Sequence, residues 1–530
     1  MGEVEPSDLK IPLTFAVWDR KMSDSMRIST LTDKLGTSRI EGAPDAEVTG
    51  LFYDSRQVER GGAFFALRGQ LTDGHRFIDE ALRRGARAIF LERDRPLPAD
   101  VVKVLVADAR EAMAQAAAVF FGDPTAAMPV IGVTGTNGKT TVTYLLESIL
   151  RRAGKKPAVL GTINYRFDDR RIPAPHTTPE AVDLFGAIDE FRRAGADSLV
   201  MEVSSHALDQ RRVEAVRFAV GVFTNLTPEH LDYHGDMETY FASKERFFLG
   251  LLASSAGRAA INIDDPYGRR LAAELPEALT CGRAEDAQVR PRQVELSLAG
   301  IEGVLDTPQG VVPLRSPLLG EFNLQNLLCA AAAGLALGLD PETVAAGLAE
   351  APQIPGRMER IENNLGGLAL VDYAHTADAL EKALLAVRDL SPRRIITVFG
   401  CGGDRDRGKR PRMGEVASRY SDLVVLTSDN PRSEDPLAIL EEIRPGVQRP
   451  GMEEMSEEEC LAGDQKGYIV IPERREAIDF AVRALQPEDL LLLAGKGHED
   501  YQVVGSRRFH FDDREELRQA LDRREAESCS

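Results

Sequence analysis

Apolar residues recur along this chain in short runs, and helical patterns fall between the runs. Val130-Ile-Gly-Val133 reads as a buried strand entering a glycine-rich turn. Ala158–Leu160, Ser198–Val203, Ala219–Phe223 and Ala259–Ile263 repeat the apolar run, mostly with helical stretches between them. Strands covered on both faces read this way, so the spacing predicts a largely parallel α/β sheet. Upstream, residues 27–127 mix short strands with helices at Phe77–Arg84 and Ala109–Phe121, and Phe121-Gly-Asp-Pro-Thr125 reads as a linker. Gln293–Leu314 alternates polar and apolar residues, which predicts antiparallel strands, and an alanine-rich helix follows at Asn326–Leu337.

The pattern breaks near Pro355-Gly356. A second series of strands then begins at Leu368–Val371, Arg394–Phe399, Leu423–Thr427, Tyr468–Ile471 and Leu490–Leu493, with helices between them. This is the pattern of a doubly wound sheet. The fold class is therefore α/β, in blocks at residues 27–127, 128–355 and 356–525. Residues 1–26, which hold the only tryptophan, Trp18, read as a disordered extension. The segment Pro445–Gly467, with its cluster of glutamates, is expected to be a solvated loop, and the charged tail beyond Gln519 is expected to fray.

Composition narrows the possible functions. At roughly 100–200 residues per domain, 530 residues suggest about three to five domains. Lys and Arg number 65 against 84 Asp and Glu, a net charge of −19, which disfavours nucleic acid and anionic membranes as partners. The five cysteines are scattered without CxxC spacing, so neither a disulfide framework nor a structural zinc site is expected, and a reducing cytoplasm fits. No apolar run approaches the roughly 20 residues that span a bilayer, and the start of the chain lacks a signal-peptide pattern.

The central chemical signal is Gly132-Val-Thr-Gly-Thr-Asn-Gly-Lys-Thr-Thr141. A strand feeds a glycine-rich turn and a helix starts at Lys139, so amide N–H groups can wrap phosphate oxygens. Lys139 supplies a cation to the terminal phosphates and Thr140 a hydroxyl for Mg²⁺. Val133 stands where the strict phosphate-loop pattern has glycine. Glu202 ends an apolar strand, the edge where a carboxylate faces a ligand crevice.

The loop Gly135-Thr136-Asn137-Gly138-Lys139-Thr140, with Thr141, resembles the ATP loop of the Mur ligases and of the related folylpolyglutamate synthases. The rest of the chain resembles the Mur ligases from about residue 27 to 520. That resemblance implies a UDP-binding N-terminal domain, a central ATPase domain and a Rossmann-like domain that selects the incoming amino acid. It implies ATP, Mg²⁺ and a UDP-N-acetylmuramoyl dipeptide as ligands, and action as a monomer without nucleic acid or membrane insertion.

In Thr224-Asn-Leu-Thr-Pro-Glu-His230 the histidine would help hold a metal with Glu202 and Thr140. In Tyr240-Phe-Ala-Ser-Lys244 the lysine would be carbamylated and join them. Nothing in composition suggests that role, since a helical lysine is ordinarily a solvated group. Asn326 would lie near the adenine, with Arg357 and Asp372 also at the nucleotide. A helix N-cap is the alternative for Asp372. Tyr53, Ser55 and the Gln70-Leu71-Thr72 turn would meet the uridine end. His176, Thr177, Thr178, Ser204, Gln210 and Arg212 would hold the muramoyl dipeptide.

Gly400–Arg410, Asp429–Pro436 and Gly495–Glu499 resemble the family branch that adds meso-diaminopimelate. Arg432 would meet its distal carboxylate with two parallel bonds. Arg405 would be a second clamp and Glu499 an acceptor for the distal ammonium, with Asp429, Asn430, Pro431 and Gly495 completing the site. The rivals are a lysine-adding ligase, which leaves Arg432 unexplained, and a folylpolyglutamate synthase, which leaves the N-terminal block and Asp429–Pro436 unexplained. A non-catalytic nucleotide-binding module would have no need of Glu202, His230 and Lys244 together.

Overall fold

The computed structural model describes residues 25–33, 35, 39–69, 72–448 and 451–528. The expected extension lies outside the described residues as far as residue 24, as do Gln70 and Leu71. Met26 and Arg27 already pair with Val48 and Glu47, so the ordered fold starts before the expected boundary. The chain forms two compact units. One comprises residues up to 291 with 305–312 and 326–348, and the other comprises 292–304, 313–325 and everything from 349 onward.

Beside the short pairing at Met26–Arg27, the first unit holds two larger sheets. Strands β1 (Arg39–Glu41), β2 (Leu51–Phe52), β3 (Ala63–Phe65), β4 (Ala88–Leu91) and β5 (Val102–Leu105) make a five-stranded sheet in the order β1-β5-β4-β3-β2, parallel except at β1. Helix α1 (Ala109–Phe120) starts at Asp108, whose carboxylate caps the amides of Arg110 and Glu111.

The larger sheet comprises β6 (Val130–Thr134), β7 (Pro157–Leu160), β8 (Asn164–Phe167), β9 (Arg170–Pro173), β10 (Ser198–Glu202), β11 (Val220–Phe223), β12 (Arg258–Asn262) and β13 (Leu279–Cys281). Its order is β9-β8-β7-β10-β6-β11-β12-β13, parallel from β7 to β13. The interior strands are buried at nearly every position, the reason their sequences read as continuous apolar runs. Helix α2 (Lys139–Arg152) follows β6, α3 (Ala181–Arg193) precedes β10, and α4 (Met237–Arg246) follows β11. The alanine-rich helix α5 runs Glu321–Ala336, five residues earlier at its start than its composition suggests.

In the second unit β14 (Glu359–Ile361), β15 (Leu368–Asp372), β16 (Arg394–Phe399), β17 (Leu423–Leu426), β18 (Glu453–Glu454), β19 (Gly467–Val470) and β20 (Asp489–Ala494) form a seven-stranded sheet. Its order is β14-β15-β20-β16-β17-β19-β18, parallel except at β14. Separate apolar cores cover its two faces, the doubly wound arrangement expected.

Two expectations fail here. Pro445–Gly467 is not a simple solvated loop. Pro445 lies inside helix α6 (Pro436–Val447), Glu453 and Glu454 form β18, and Glu457–Ala462 is a helix, α7. Ser456 and Glu459 close a capping box at the start of α7, and Met452, Met455 and Cys460 are buried beneath the glutamates. The tail does not fray either. Helix α9 (Asp513–Ser528) follows α8 (Arg474–Ala484) in sequence, and Leu517, Ala520 and Leu521 are buried.

Arg474 at the start of α8 and Asp513 at the start of α9 are both fully buried. Arg474 Nε and Nη2 donate to the two carboxylate oxygens at 2.7 and 2.5 Å, and the guanidinium also donates to the carbonyls of Ala494 (3.1 Å) and Ser428 (3.3 Å). Removing one partner would leave a buried charge uncompensated. Asp513→Ala is therefore expected to destabilise the second unit by about 3–5 kcal/mol, measured by equilibrium denaturation; a loss below about 1 kcal/mol would mean that the pair behaves as an exposed one.

Candidate functional site

The phosphate loop sits where β6 ends between β10 and β11, with Glu202 opposite Val133 and Phe223 opposite Thr134. All three strand ends therefore face one edge, the place where open α/β sheets bind ligands. Gly135 and Gly138 carry φ of 145° and 86°. A Cβ at Gly135 would stand 1.9 Å from Thr224 Oγ1, and one at Gly138 would stand 2.2 Å from Asn326 Oδ1, so no side chain fits at either place. Gly138 is also the N-cap of α2 and brings no side chain to its first amides. Those amides keep their donor capacity for an anion.

The loop is held from β11. Thr136 N donates to Asn225 O at 2.8 Å, Asn137 N to Asn225 Oδ1 at 2.9 Å and Asn137 Nδ2 to Thr227 Oγ1 at 3.2 Å. Lys139 Nζ donates to the carbonyls of Gly135 (2.9 Å) and Thr136 (2.6 Å). Thr141 is buried in the first turn of α2.

Glu202 is 1% exposed, and its carboxylate accepts from Thr140 Oγ1 (3.0 Å), Thr162 N (2.9 Å) and Thr162 Oγ1 (3.0 Å). All three donors are neutral groups. A hydroxyl and a carboxylate oxygen in contact at a phosphate loop are the oxygen donors that a hard divalent ion takes, and Thr140 and Glu202 fit Mg²⁺ on that ground. Among the described residues no three His, Cys, Asp or Glu side chains gather into a ready cage.

His230 adopts φ 57° and stands in edge contact with His206, their ring centroids 4.8 Å apart. Burial lowers the pKa of both imidazoles, that of His206 to about 4 with His230 and His234 as the next causes. His230 is thus a neutral nitrogen donor.

Lys244 is buried in α4, not solvated. Its Nζ donates to Gly135 O at 3.0 Å and lies 4.8 Å from the centre of the Tyr240 ring. Burial lowers its pKa well below the ordinary lysine range, and the neighbouring Lys139 lowers it further. The amine is therefore favoured in its neutral, nucleophilic form.

Beside Glu202 lies a shelf of hydroxyls. Thr178 Oγ1 donates to Glu202 O at 2.8 Å and accepts from Ser204 N at 3.1 Å, while Thr177 Oγ1 is 3.1 Å from Thr162 Oγ1. Arg212 binds the carbonyl of Thr178 and Gln210 Oε1, both at 2.8 Å, and its Nε is 3.0 Å from Glu180. His176 lies on the same strand-to-helix connection, exposed, its carbonyl accepting from Tyr165 OH at 2.5 Å. Thr177, Thr178, Ser204, Gln210 and Arg212 are thus brought together. The N-terminal residues behave differently. Tyr53 OH donates to Asp183 on α3, and Ser55, buried, donates to Glu80 at 2.8 Å. Thr72 closes its turn by accepting from Gly69 N at 2.9 Å.

In the second unit Asp372 ends β15, buried, its oxygens accepting from the amides of Met358 and Ala374 at 2.8 Å each. The cap of the following helix is Thr376, so the N-cap alternative for Asp372 is set aside. Arg357 lies 4.6 Å from the centre of the Tyr373 ring.

The three segments singled out for amino-acid recognition follow three adjacent strands, β16, β17 and β20, and meet at their carboxyl ends. Asn430 Nδ2 donates to Glu499 Oε2 at 3.0 Å, and Asn430 Oδ1 accepts from Val503 N at 2.9 Å. Arg432, with φ 52°, donates from Nη1 to Gly403 O at 2.7 Å, and its backbone pairs with Val503 and Gly505. Arg405 is exposed beside it and donates to Asp404 O at 3.2 Å. Gly495, with φ 115°, donates its amide to Asp372 O at 3.1 Å. Asp429 and Pro431 are buried. Burial, with Asp429 next, raises the pKa of Glu499.

Sequence reasoning passed over several residues here. Asn225 and Thr162 hold the loop and Glu202, but an Asn and a Thr beside a strand end carry no signal of their own. Tyr240 binds Thr136 Oγ1 through its hydroxyl at 3.1 Å, and its i, i+4 spacing from Lys244 was the available clue. Fully buried Lys496 stands among Asp429, Asn430 and Glu499, and Arg410, also fully buried, pairs with Glu434 and Glu442 at 2.8 and 2.7 Å while reaching Gly402 O.

Three family profiles match the chain: the Mur ligase family catalytic domain over residues 47–121, the Mur ligase middle domain over 133–334, and the Mur ligase glutamate ligase domain over 356–497. The UDP-N-acetylmuramoyl-L-alanyl-D-glutamate--2,6-diaminopimelate ligase of Geobacter metallireducens is 54% identical over 502 residues, 94% of this chain and 98% of its own length. The ligase of the same name from Geobacter sulfurreducens is 51% identical over 497 residues, 93% and 98% of the two chains. A solved structure of a ligase of that name superposes with a TM-score of 0.68 at 32% identity, covering 95% of this chain and 100% of its own. Folylpolyglutamate synthase from Mycobacterium tuberculosis, at 21% identity and a TM-score of 0.57 over 73% of this chain and 92% of its own, shares the fold. With these profiles in chain order and relatives of this identity along nearly its whole length, the chain belongs to the Mur ligase family.

Proposed function

We propose that this chain joins meso-2,6-diaminopimelate to UDP-N-acetylmuramoyl-L-alanyl-D-glutamate with ATP, in the synthesis of peptidoglycan precursors in the cytoplasm. Residues 27–127 bind the UDP end, 128–355 the nucleotide and 356–525 the amino acid, in a monomer. The observation that carries the reading is the meeting of Arg432 and Arg405 with Asp429, Asn430 and Glu499 at the ends of adjacent strands. Guanidinium groups suit a distal carboxylate and the acids suit the ammonium on the same carbon. Lysine lacks that carboxylate and would leave Arg432 without its partner, costing about 1–3 kcal/mol.

The γ-carboxylate of the D-glutamyl residue attacks the γ-phosphorus of ATP, and ADP leaves. The resulting acyl phosphate gives the carbonyl carbon a leaving group that a carboxylate oxygen is not. The neutral amine of diaminopimelate attacks that carbon, and the tetrahedral adduct expels phosphate to leave an amide. Lys139 and the amides of Gly135–Thr141 hold the phosphates, with Asn326, Arg357 and Asp372 at the nucleoside. The Thr178 shelf, Arg212 and the uridine contacts position the carboxylate. Most of the work is orientation and charge stabilisation. Thr140, Glu202, His230 and a carbamylated Lys244 would hold Mg²⁺, which supplies positive charge where two anions must approach. The carbamate itself follows from burial: neutral Lys244 adds to CO₂ and loses a proton, turning a disfavoured cation into an anionic oxygen ligand.

Phosphate release is expected to require ATP, the UDP-linked dipeptide and diaminopimelate together. Arg432→Ala should raise the KM for diaminopimelate about ten- to a hundredfold, the loss of about 1.5–3 kcal/mol of charge-assisted bonding, with the KM for ATP unchanged. Equal turnover with lysine would refute the assigned specificity. Lys244→Ala should lose most activity and regain part of it with a short carboxylic acid in the assay, and ¹³C-bicarbonate should give a carbamate carbon resonance in the unsubstituted protein but not in the variant.

A further inference from the structure

The proposed mechanism gives no task to Lys496 in Gly495-Lys-Gly-His-Glu499, and its side chain is 0% exposed. Its ammonium lies 3.5 Å from Asp429 Oδ1, 3.4 Å from Asn430 Oδ1 and 3.9 Å from Glu499 Oε2, with the Tyr501 ring 5.8 Å away. A lysine is almost never buried without partners, and here the partners are the acids assigned to the distal ammonium of the amino acid. We propose that Lys496 is a specificity-determining positioning residue, whose buried charge holds Asp429, Asn430 and Glu499 as one unit and gives the amino-acid site the net charge that a diacid requires. The inference rests on the diaminopimelate reading above and adds to it a residue that acts through others.

The argument is one of charge balance. The groups of the site are three cations, Arg405, Arg432 and Lys496, and two anions, Asp429 and Glu499, which leaves one positive charge. Diaminopimelate with its attacking amine neutral carries two carboxylates and one ammonium, which leaves one negative charge, and the pair is neutral. Lysine in the same state carries no net charge and would leave the site's positive charge unmatched. Without Lys496 the site itself is neutral and matches lysine instead.

Geometry points the same way. Asn430 donates to Glu499, and its oxygen accepts from Val503 N and lies within reach of Lys496, so the amide is fixed in orientation between a cation and an acid. Burial and Asp429 both raise the pKa of Glu499, and Lys496 is the largest influence lowering it. Asn430 and Arg432 also favour its ionised form, and Tyr373, Tyr501 and buried Arg474 complete the surroundings that act on it.

The test compares kcat/KM for diaminopimelate with that for lysine in the full-length protein, using phosphate release with saturating ATP and UDP-linked dipeptide. Lys496→Met is expected to lower the ratio at least tenfold through the KM for diaminopimelate, with the KM for ATP within twofold. A structural role alone would lower kcat with both amino acids alike, and an unchanged ratio overturns the proposal. Should Lys496→Met fail to fold, the charge-balanced pair Lys496→Met with Asp429→Asn carries the test. Both amino acids offer a distal ammonium to Asp429, and the double variant keeps the site's net charge. Its ratio is expected within about threefold of the unsubstituted protein, and a tenfold collapse overturns the proposal. Failure of the unsubstituted protein to use diaminopimelate would overturn the functional reading instead.

Discussion

Two ammonium groups converge on one carbonyl oxygen, that of Gly135, from Lys139 at 2.9 Å and from Lys244 at 3.0 Å. Most of the first unit's chemistry depends on this arrangement. The carbonyl can be reached from two sides because Gly135 takes a backbone conformation closed to other residues and lies against Thr224 with no room for a side chain. Two like charges so close, one of them buried, cannot both be stable, and the buried one yields. Lys139 stays at the partly exposed rim of the loop. Lys244 lies buried behind it, where burial and the neighbouring cation favour the neutral amine over the ammonium. One turn closed to other residues therefore sets a partly exposed lysine and a buried one against the same carbonyl.

The second unit solves its problem with paired charges instead of strain. The proposed amino-acid site lies in loops after three parallel strands, and buried arginines tie those loops down by their carbonyls. Arg474, locked by Asp513, reaches Ser428 and Ala494, the residues just before Asp429 and Gly495. Arg410, locked by Glu434 and Glu442, reaches Gly402 in the loop that carries Arg405. The scaffold alone does not name the substrate, since a folylpolyglutamate synthase at 21% identity shares it. Specificity resides in the side chains that these struts hold at the strand ends.

Much of this was legible in the sequence. Arg394–Phe399 reads as a strand because it is buried along its whole length, and the structure reproduces its limits. The start of α2 at Lys139 was fixed by the glycines before it. What escaped were elements whose charge disguised them. Ser456 and Glu459 spell a capping box, yet five glutamates nearby made the segment look solvated. The tail carries Leu517, Ala520 and Leu521 at helical spacing, hidden among arginines and glutamates. The depth of Lys244 and Lys496 could not be read, because burial of a charged side chain is decided by what packs around it from distant parts of the chain. The family resemblance supplied the expectation for Lys244, and only the fold reveals that burial and Lys139 lower its pKa.

Three lysines therefore stand at the strand ends of this protein, and their surroundings give them three different chemistries. Lys139 is partly exposed, and backbone carbonyls hold its charge where a phosphate can take it over. Lys244 and Lys496 are both almost completely buried, so each faces a desolvation cost that an isolated ammonium cannot bear. Lys244 meets a carbonyl, a ring face and the field of another cation, opposed by that of Glu229, and its pKa falls well below the ordinary lysine range. Lys496 meets two carboxylates and an amide oxygen, partners that compensate a buried ammonium. The same buried side chain thus meets a carbonyl and a ring face in one unit and two carboxylates in the other, and the difference lies in what each fold packs around it.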